Sequence, residues 1–215
     1  VTDLLAKYHA DPSDENWQQI AAKFADLARA TDYRSDLDKL LFVARQNASS
    51  GSLAHCMSLG EELSAKIMAS YLGFAHVEAA NAFWFDSSGK LDVKKTVANL
   101  KSATSGVRQA VIGGFYGSSE LGRAVFSRGG SDVSGTYCAV ATNSNLYLNC
   151  TDVCGVFVAD PSKVVDSRRL TELSYDQMRR LSLAGATVLH NQAVMPLAKY
   201  GIPLEIKSFY TPHKV

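Results

Sequence analysis

The sequence predicts an α/β fold with helices on both faces of a mostly parallel sheet, and three observations carry that expectation. Apolar residues recur at helical spacing through the first half of the chain. From Arg108 onward, short β-type runs alternate with amphipathic helical segments, the pattern of βαβ units. Glycine clusters punctuate that stretch at Gly113-Gly114 and Gly129-Gly130. The 215 residues contain no internal repeat, low-complexity tract or dividing linker, so 1–215 reads as a single domain.

Composition removes several classes of function. With 22 Lys+Arg against 21 Asp+Glu, the formal net charge of +1 supplies no global field toward nucleic acid or membrane. The longest apolar runs, such as Gly155 to Ala159, fall far short of the roughly 20 residues a bilayer crossing needs. Four cysteines (Cys56, Cys138, Cys150, Cys154) do not make a disulfide scaffold, and buried free thiols in a reducing cytoplasm are expected. The five histidines form no ligand pair, so no protein-held metal is expected. Val1-Thr2-Asp3-Leu4-Leu5 has neither an initiator Met nor a signal-like leader, so the true N-terminus is expected to lie upstream.

The elements follow in order. Trp17, Ile20, Ala21, Phe24, Leu27 and Ala28 form one helical face, and Leu37, Leu40, Leu41 and Ala44 repeat it. A third helix is expected from about Glu61 to Leu72, with Leu63, Ile67, Met68 and Tyr71 inward and Gly73 as its stop. Ala75–Ala79 reads as a short strand, Asp86–Lys90 as a turn, and Val93, Val97 and Leu100 mark a helix. Arg108–Ile112 is a strand, and Ser134–Val140 a helix. Strands are expected at Leu146–Leu148 and Val156–Val158, and from Pro203. Ser174 and Gln177 have capping-box spacing before a helix through Met178 and Leu181, and a last helix through Val194, Leu197 and Ala198 stops at Gly201.

Glycine at a strand-to-helix junction lets backbone N–H groups approach an anion. Neither cluster fits a P-loop or a dinucleotide fingerprint, and each by itself reads as an ordinary tight turn more readily than as a ligand site. At the second cluster Arg128 and Asp132 flank Gly129-Gly130-Ser131. That set of charges suits an amino acid, with a guanidinium for its carboxylate, and suits a solvated helix-capping pair equally well. Thr151 and Asp152 end a strand, where open α/β sheets bind ligands, although an Asx-capped turn has the same residues.

Taken together, these stretches resemble the aspartate kinases of the amino-acid kinase family. Phe115-Tyr116-Gly117-Ser118 with Ser127 to Asp132 is similar to "GFIGS … GRGGSD". Thr151 to Pro161 resembles "TDVDGVYTADP", and Leu173 to Met178 with Ala184 to His190 resembles "ISYEEMLEL…GAKVLHP". Val1 to Leu5 resembles "(V/I)T(D/N)LL", and Gly60-Glu61 the "SxGE" start of a helix. The matches run in the family's order over nearly the whole chain.

The resemblance implies a three-layer αβα sandwich, and ATP-dependent phosphorylation of the side-chain carboxylate of L-aspartate to 4-phospho-L-aspartate, the first step toward lysine, threonine and methionine. It further implies Mg²⁺ with the ATP, a cytoplasmic homodimer, and neither nucleic acid nor membrane as partner. Thr2, Glu61, Phe115, Arg128, Gly129, Gly130 and Ser131 would bind the amino acid, with Arg128 on a carboxylate and Glu61 on the ammonium. Asp132, with Arg128, would organise the reacting groups. Thr151, Asp152, Phe157, Ser162, Thr187 and Val188 would line the nucleotide, whose phosphates would point toward Gly113-Gly114 and Thr187. Phosphoryl transfer asks for positioning and charge stabilisation, and a carboxylate nucleophile needs no strong base, which fits the absence of a His-centred dyad.

Four departures from the family pattern stand out. Phe157 replaces a more usual Tyr, Ser162 an Arg (with Lys163 beside it), and Thr187 the Lys of "GAKVLHP". The "KFGGTS" strand and loop does not occur among these residues. Nor do the small-molecule-binding regulatory domains, so 1–215 is expected to be the catalytic domain without them. The alternatives are a relative acting on another carboxylate, and a module that binds nucleotide or amino acid without turnover.

Overall fold

Helix capping explains most of the described helix starts. The computed structural model describes residues 1–33, 35–151, 155–158, 164, 166–183 and 191–208. The described chain opens with α1 (Thr2–Ala10), α2 (Asp14–Ala30), α3 (Leu37–Ser50) and α4 (Leu53–Leu72). Ser13, Asp36 and Ser52 cap the last three, accepting from the backbone N–H of Asn16, Lys39 and His55 at 3.4, 2.9 and 3.2 Å. The Ser52 cap is why α4 starts well before Glu61, the start expected from the sequence. Gly73 ends α4 in the left-handed region at φ +68, as expected. Tyr71 is not inward as predicted: it is 57% exposed, while Leu63 and Ile67 are buried.

The chain divides into two compact units, Val1–Ser127 and Arg128–Val215. In the first, the four helices close on a core of Leu5, Tyr8, Trp17, Ile20, Phe24, Leu41, Leu59 and Ile67. The α2 and α3 stripes read from the sequence are the ones buried there. α4 also packs on β1 (Ala75–Val77), β2 (Ala110–Ile112) and β4 (Gly122–Val125). Strands β1 and β2 pair in parallel, Ala75 with Ala110 through Val77 with Ile112. The crossover between them holds α5 (Ala79–Ala82) and α6 (Val93–Thr104), as a parallel connection requires. β3 (Tyr116–Ser119) and β4 form an antiparallel hairpin.

The second unit begins with α7 (Gly130–Ala141), longer at its start than the predicted Ser134–Val140. β5 (Tyr147–Thr151) pairs in parallel with β8 (Leu204–Ser208), and β6 (Val156–Phe157) pairs antiparallel with β7 (Arg169–Leu170). α8 (Tyr175–Leu183) and α9 (Asn191–Tyr200) lie in the β5–β8 crossover. The predicted capping box is formed: the Gln177 side chain accepts from Ser174 N–H at 2.8 Å, and Ser174 Oγ accepts from Gln177 N–H at 3.2 Å. α7 packs on α9 around buried Val133, Val194 and Leu197, and the Thr136 hydroxyl donates to the Ala193 carbonyl at 3.2 Å. The fold is α/β, and the described strands pair as two parallel and two antiparallel ribbons. No described helix is long and apolar enough to cross a membrane. Among the described thiols Cys56 is buried, whereas Cys150 is exposed, a correction to the expectation of buried cysteines.

Candidate active site

In the first unit the site is built on a close helix approach. A Cβ on Gly60 would stand 3.2 Å from Val1 Cγ1 and 3.3 Å from Leu5 Cδ1, so glycine lets the start of α1 lie against the middle of α4. This brings the start of α1, whose first turn contains Thr2, against the Gly60 turn of α4. Glu61 is thus a mid-helix residue and not a helix-start residue, which corrects the motif-based expectation.

The Glu61 carboxylate accepts a hydrogen bond from the Gly114 backbone N–H. Burial raises the Glu61 pKa, and that hydrogen bond opposes the rise. Gly113 lies against the same helix turn: its Cβ position is 2.8 Å from Tyr116 Cε1 and 3.4 Å from the Glu61 carbonyl oxygen. The Gly113-Gly114 step therefore connects β2 to the β3–β4 hairpin, with no helix start behind it, and its Gly114 N–H serves Glu61. Phe115 follows at φ +58, a left-handed backbone that costs a non-glycine residue about 1–2 kcal/mol. Its carbonyl accepts from Phe126 N–H at 2.9 Å.

In the second unit Gly129 is the N-cap of α7 at φ +61, and among the described residues no side chain caps this helix. Glycine takes that backbone without the strain another residue would meet, and the positive end of the helix dipole at Gly130 and Ser131 suits an anion. Arg128 and Ser131 are exposed and Gly130 is buried. Asp132, in the first turn, accepts from Asn149 Nδ2 at 3.0 Å, and the Tyr147 hydroxyl donates to the Asp132 carbonyl at 3.5 Å. Thr151 ends β5 on the same face as Tyr147 and Asn149, since alternate residues share a side. Phe157 is half-buried in β6, opposite Arg169. Asp152, Ser162, Thr187 and Val188 lie outside the described residues. So the structure groups Thr2, Glu61 and the Gly114–Phe115 turn in one unit. In the other it groups Gly129 to Asp132 with the β5 face.

Two groups of residues are not evident from the sequence. Asn149 and Tyr147 hold Asp132, and the period-2 pattern of β5 is the signal that places them with Thr151. The other is an ion cluster: Arg123 bonds Glu62 Oε2 at 2.9 Å and Glu78 Oε1 at 3.2 Å, and Lys66 bonds Glu62 at 2.6 Å. The Tyr116 hydroxyl donates to Glu78 at 3.0 Å. Lys66 and Glu62 are an i,i+4 pair on α4, but Arg123, Glu78 and Glu62 lie far apart along the chain, and no local pattern joins them. Among the described residues no group of three His, Cys, Asp or Glu side chains is arranged to hold a metal.

A glycine-rich helix start, with Asp132 held in its first turn by Asn149, on an α/β frame is the arrangement in which proteins of this class offer a helix N-terminus to an anion. The model of the amino acid kinase family matches residues 1–208, and the chain belongs to that family. It is 35% identical over 162 residues to aspartokinase 3 of Bacillus subtilis (strain 168), covering 71% of this chain and 36% of that protein. To the aspartokinase of Chlamydia pneumoniae it is 32% identical over 237 residues, covering 100% of this chain and 52% of the relative. The crystal structure of Clostridium acetobutylicum aspartate kinase superposes with a TM-score of 0.89 at 35% identity, over 100% of this chain and 50% of that one. The chain spans about half or less of the length of these relatives.

Proposed function

We propose that residues 1–215 are one catalytic domain of an aspartate kinase, transferring the γ-phosphoryl group of ATP to the side-chain carboxylate of L-aspartate. The observation that carries the reading is the start of α7, from Arg128 to Asp132. There Arg128, the uncapped glycine N-terminus and an Asp132 oriented by Asn149 combine in a motif that resembles the one in aspartate kinases. The 35% identity with an aspartate kinase along the whole chain supports the choice of aspartate over other carboxylates.

In this reading Arg128 forks onto a substrate carboxylate, Glu61 and Thr2 receive the ammonium end, and Phe115 shapes the wall. The backbone N–H groups from Gly130 to Asp132 stabilise negative charge, and Asp132 orients the reacting groups. The aspartate carboxylate is already ionised at neutral pH. Its oxygen attacks the γ-phosphorus, the bond to the β-phosphate oxygen breaks, and the products are 4-phospho-L-aspartate and ADP with no net proton transfer. Thr151, Asp152, Phe157, Ser162, Thr187 and Val188 contact the nucleotide. Asp132 is the described carboxylate that would face a Mg²⁺ accompanying the ATP, and the ion would supply charge neutralisation for the phosphates. The enzyme works as a cytoplasmic homodimer.

The test supplies ATP, Mg²⁺ and L-aspartate to the full-length protein, with acyl phosphate trapped as the hydroxamate and ADP release coupled to a dye. Aspartate-dependent hydroxamate is expected. A preference for glutamate or N-acetylglutamate, or binding of both ligands with no ADP formed, overturns the assignment. Sedimentation at assay concentration checks the dimer.

A further inference from the structure

We infer that Arg123 is a positioning residue for the amino-acid side of the site, a proposal that rests on the functional reading above. Its guanidinium joins α4 to the region after β1. One nitrogen bonds Glu62 Oε2 at 2.9 Å, and the other bonds Glu78 Oε1 at 3.2 Å. The side chains of Arg123 and Glu62 are each 13% exposed, so solvent screens the pair weakly. The same guanidinium lies 4.8 Å from the centre of the Tyr116 ring, whose hydroxyl donates to Glu78. Tyr116 is fully buried, and its ring fills the space that a side chain on Gly113 would need.

The cluster grips the residue immediately after each of two candidate site residues. Glu62 follows Glu61 on α4, and Tyr116 follows Phe115 at the start of β3. Between them runs the Gly113-Gly114-Phe115 turn, with its Gly114 N–H on Glu61 and its left-handed Phe115. A left-handed non-glycine backbone persists only where the surroundings hold it. Here Arg123 holds the hairpin on one side of the turn and α4 on the other. Lysine cannot replace it, because a single ammonium lacks the fork that spans two carboxylates on different elements.

The test uses Arg123→Lys and, as a variant with less risk to folding, Glu78→Gln, in the full-length protein. Two readouts separate positioning from bulk stability: hydrogen exchange at the Gly114 amide, and KM for aspartate against KM for ATP. The expected result is roughly tenfold faster Gly114 exchange and a KM for aspartate raised about tenfold, with KM for ATP within about twofold, in at least the variant that folds. A lowered thermal midpoint with both Gly114 exchange and aspartate KM unchanged overturns the proposal, leaving a structural ion cluster. Faster exchange with an unchanged aspartate KM overturns it also. If the wild-type protein does not turn over aspartate, the functional reading fails separately, and Gly114 exchange alone decides whether Arg123 holds the turn.

Discussion

Asn149 Nδ2 donates to Asp132 Oδ1 at 3.0 Å, joining the middle of β5 to the first turn of α7. An amide donor fixes the direction of a carboxylate without cancelling its charge, as the role proposed for Asp132 requires. Asn149→Ala removes the donor and leaves the charge. We expect kcat to fall about tenfold with KM for aspartate and ATP within about twofold, since a hydrogen bond to a charged group is worth about 1.5–3 kcal/mol. Asp132→Asn should lower kcat further. Steady-state kinetics check both, and an Asn149→Ala enzyme with normal kcat would remove Asp132 orientation from the mechanism.

Arg128 is exposed, as a residue awaiting an anionic ligand can be. If it forks onto the aspartate carboxylate, Arg128→Lys weakens aspartate binding roughly tenfold or more and leaves ATP binding unchanged. Separate calorimetric titrations with the two ligands measure this. Equal aspartate affinity in the variant would return Arg128 to the role of a surface helix cap.

Glu61 and Glu62 are neighbours with opposite shifts. Burial raises Glu61 above its ordinary 4.5, while for Glu62 the burial penalty is outweighed by Lys66 and Arg123, which lower it. A raised carboxyl favours the fold below its unfolded pKa, and that contribution is lost as pH rises through the folded value. Glu61→Gln should therefore melt above wild type at pH 7, with the gap closing below about pH 4.5, while aspartate binding is lost. A depressed carboxyl has the reverse sign, with stability present above its unfolded pKa and lost as pH falls through the folded value. Glu62→Gln should melt below wild type at pH 7. Thermal melts from pH 3 to 8 test the pair, and shifts of equal sign would contradict the assignment.

Gly117 illustrates a contact constraint. A Cβ there would lie 2.7 Å from Phe83 Cβ and 2.8 Å from the Phe83 carbonyl carbon, where β3 crosses the chain after α5. The Ser118 N–H also bonds the Phe83 carbonyl at 2.9 Å, so the backbone cannot simply move away. Gly117→Ala should cost about 1–3 kcal/mol. Gly89→Ala, at φ +76 in open space, should cost only about 1 kcal/mol of backbone strain. Urea titration of the two variants compares a packing cost with a dihedral cost.

Local chemistry is legible in the order of the residues. The capping box of Ser174 and Gln177, the stop at Gly73 and the buried stripes of α2 and α3 each depend on residues within a few positions of one another. The motif from Arg128 to Asp132 is likewise local, although the helix expected from Ser134 begins at Gly130. The start of α4 is harder to read, because Ser52 lies directly after a polar break that looks like a loop. Tyr71 defeats the periodicity because helical period marks a face but not how far along the helix that face stays covered.

The sequence by itself determined the α/β class, the family likeness and the residue types of the candidate site, because short-range hydrogen bonding and periodicity are written in neighbouring residues. Only the tertiary structure decided which of them meet. The Gly114 N–H on Glu61, Asn149 on Asp132 and Arg123 across Glu62 and Glu78 each join residues on different elements. Such pairings follow from how buried surfaces close over polar groups, since a buried charge must find its partner wherever packing brings one.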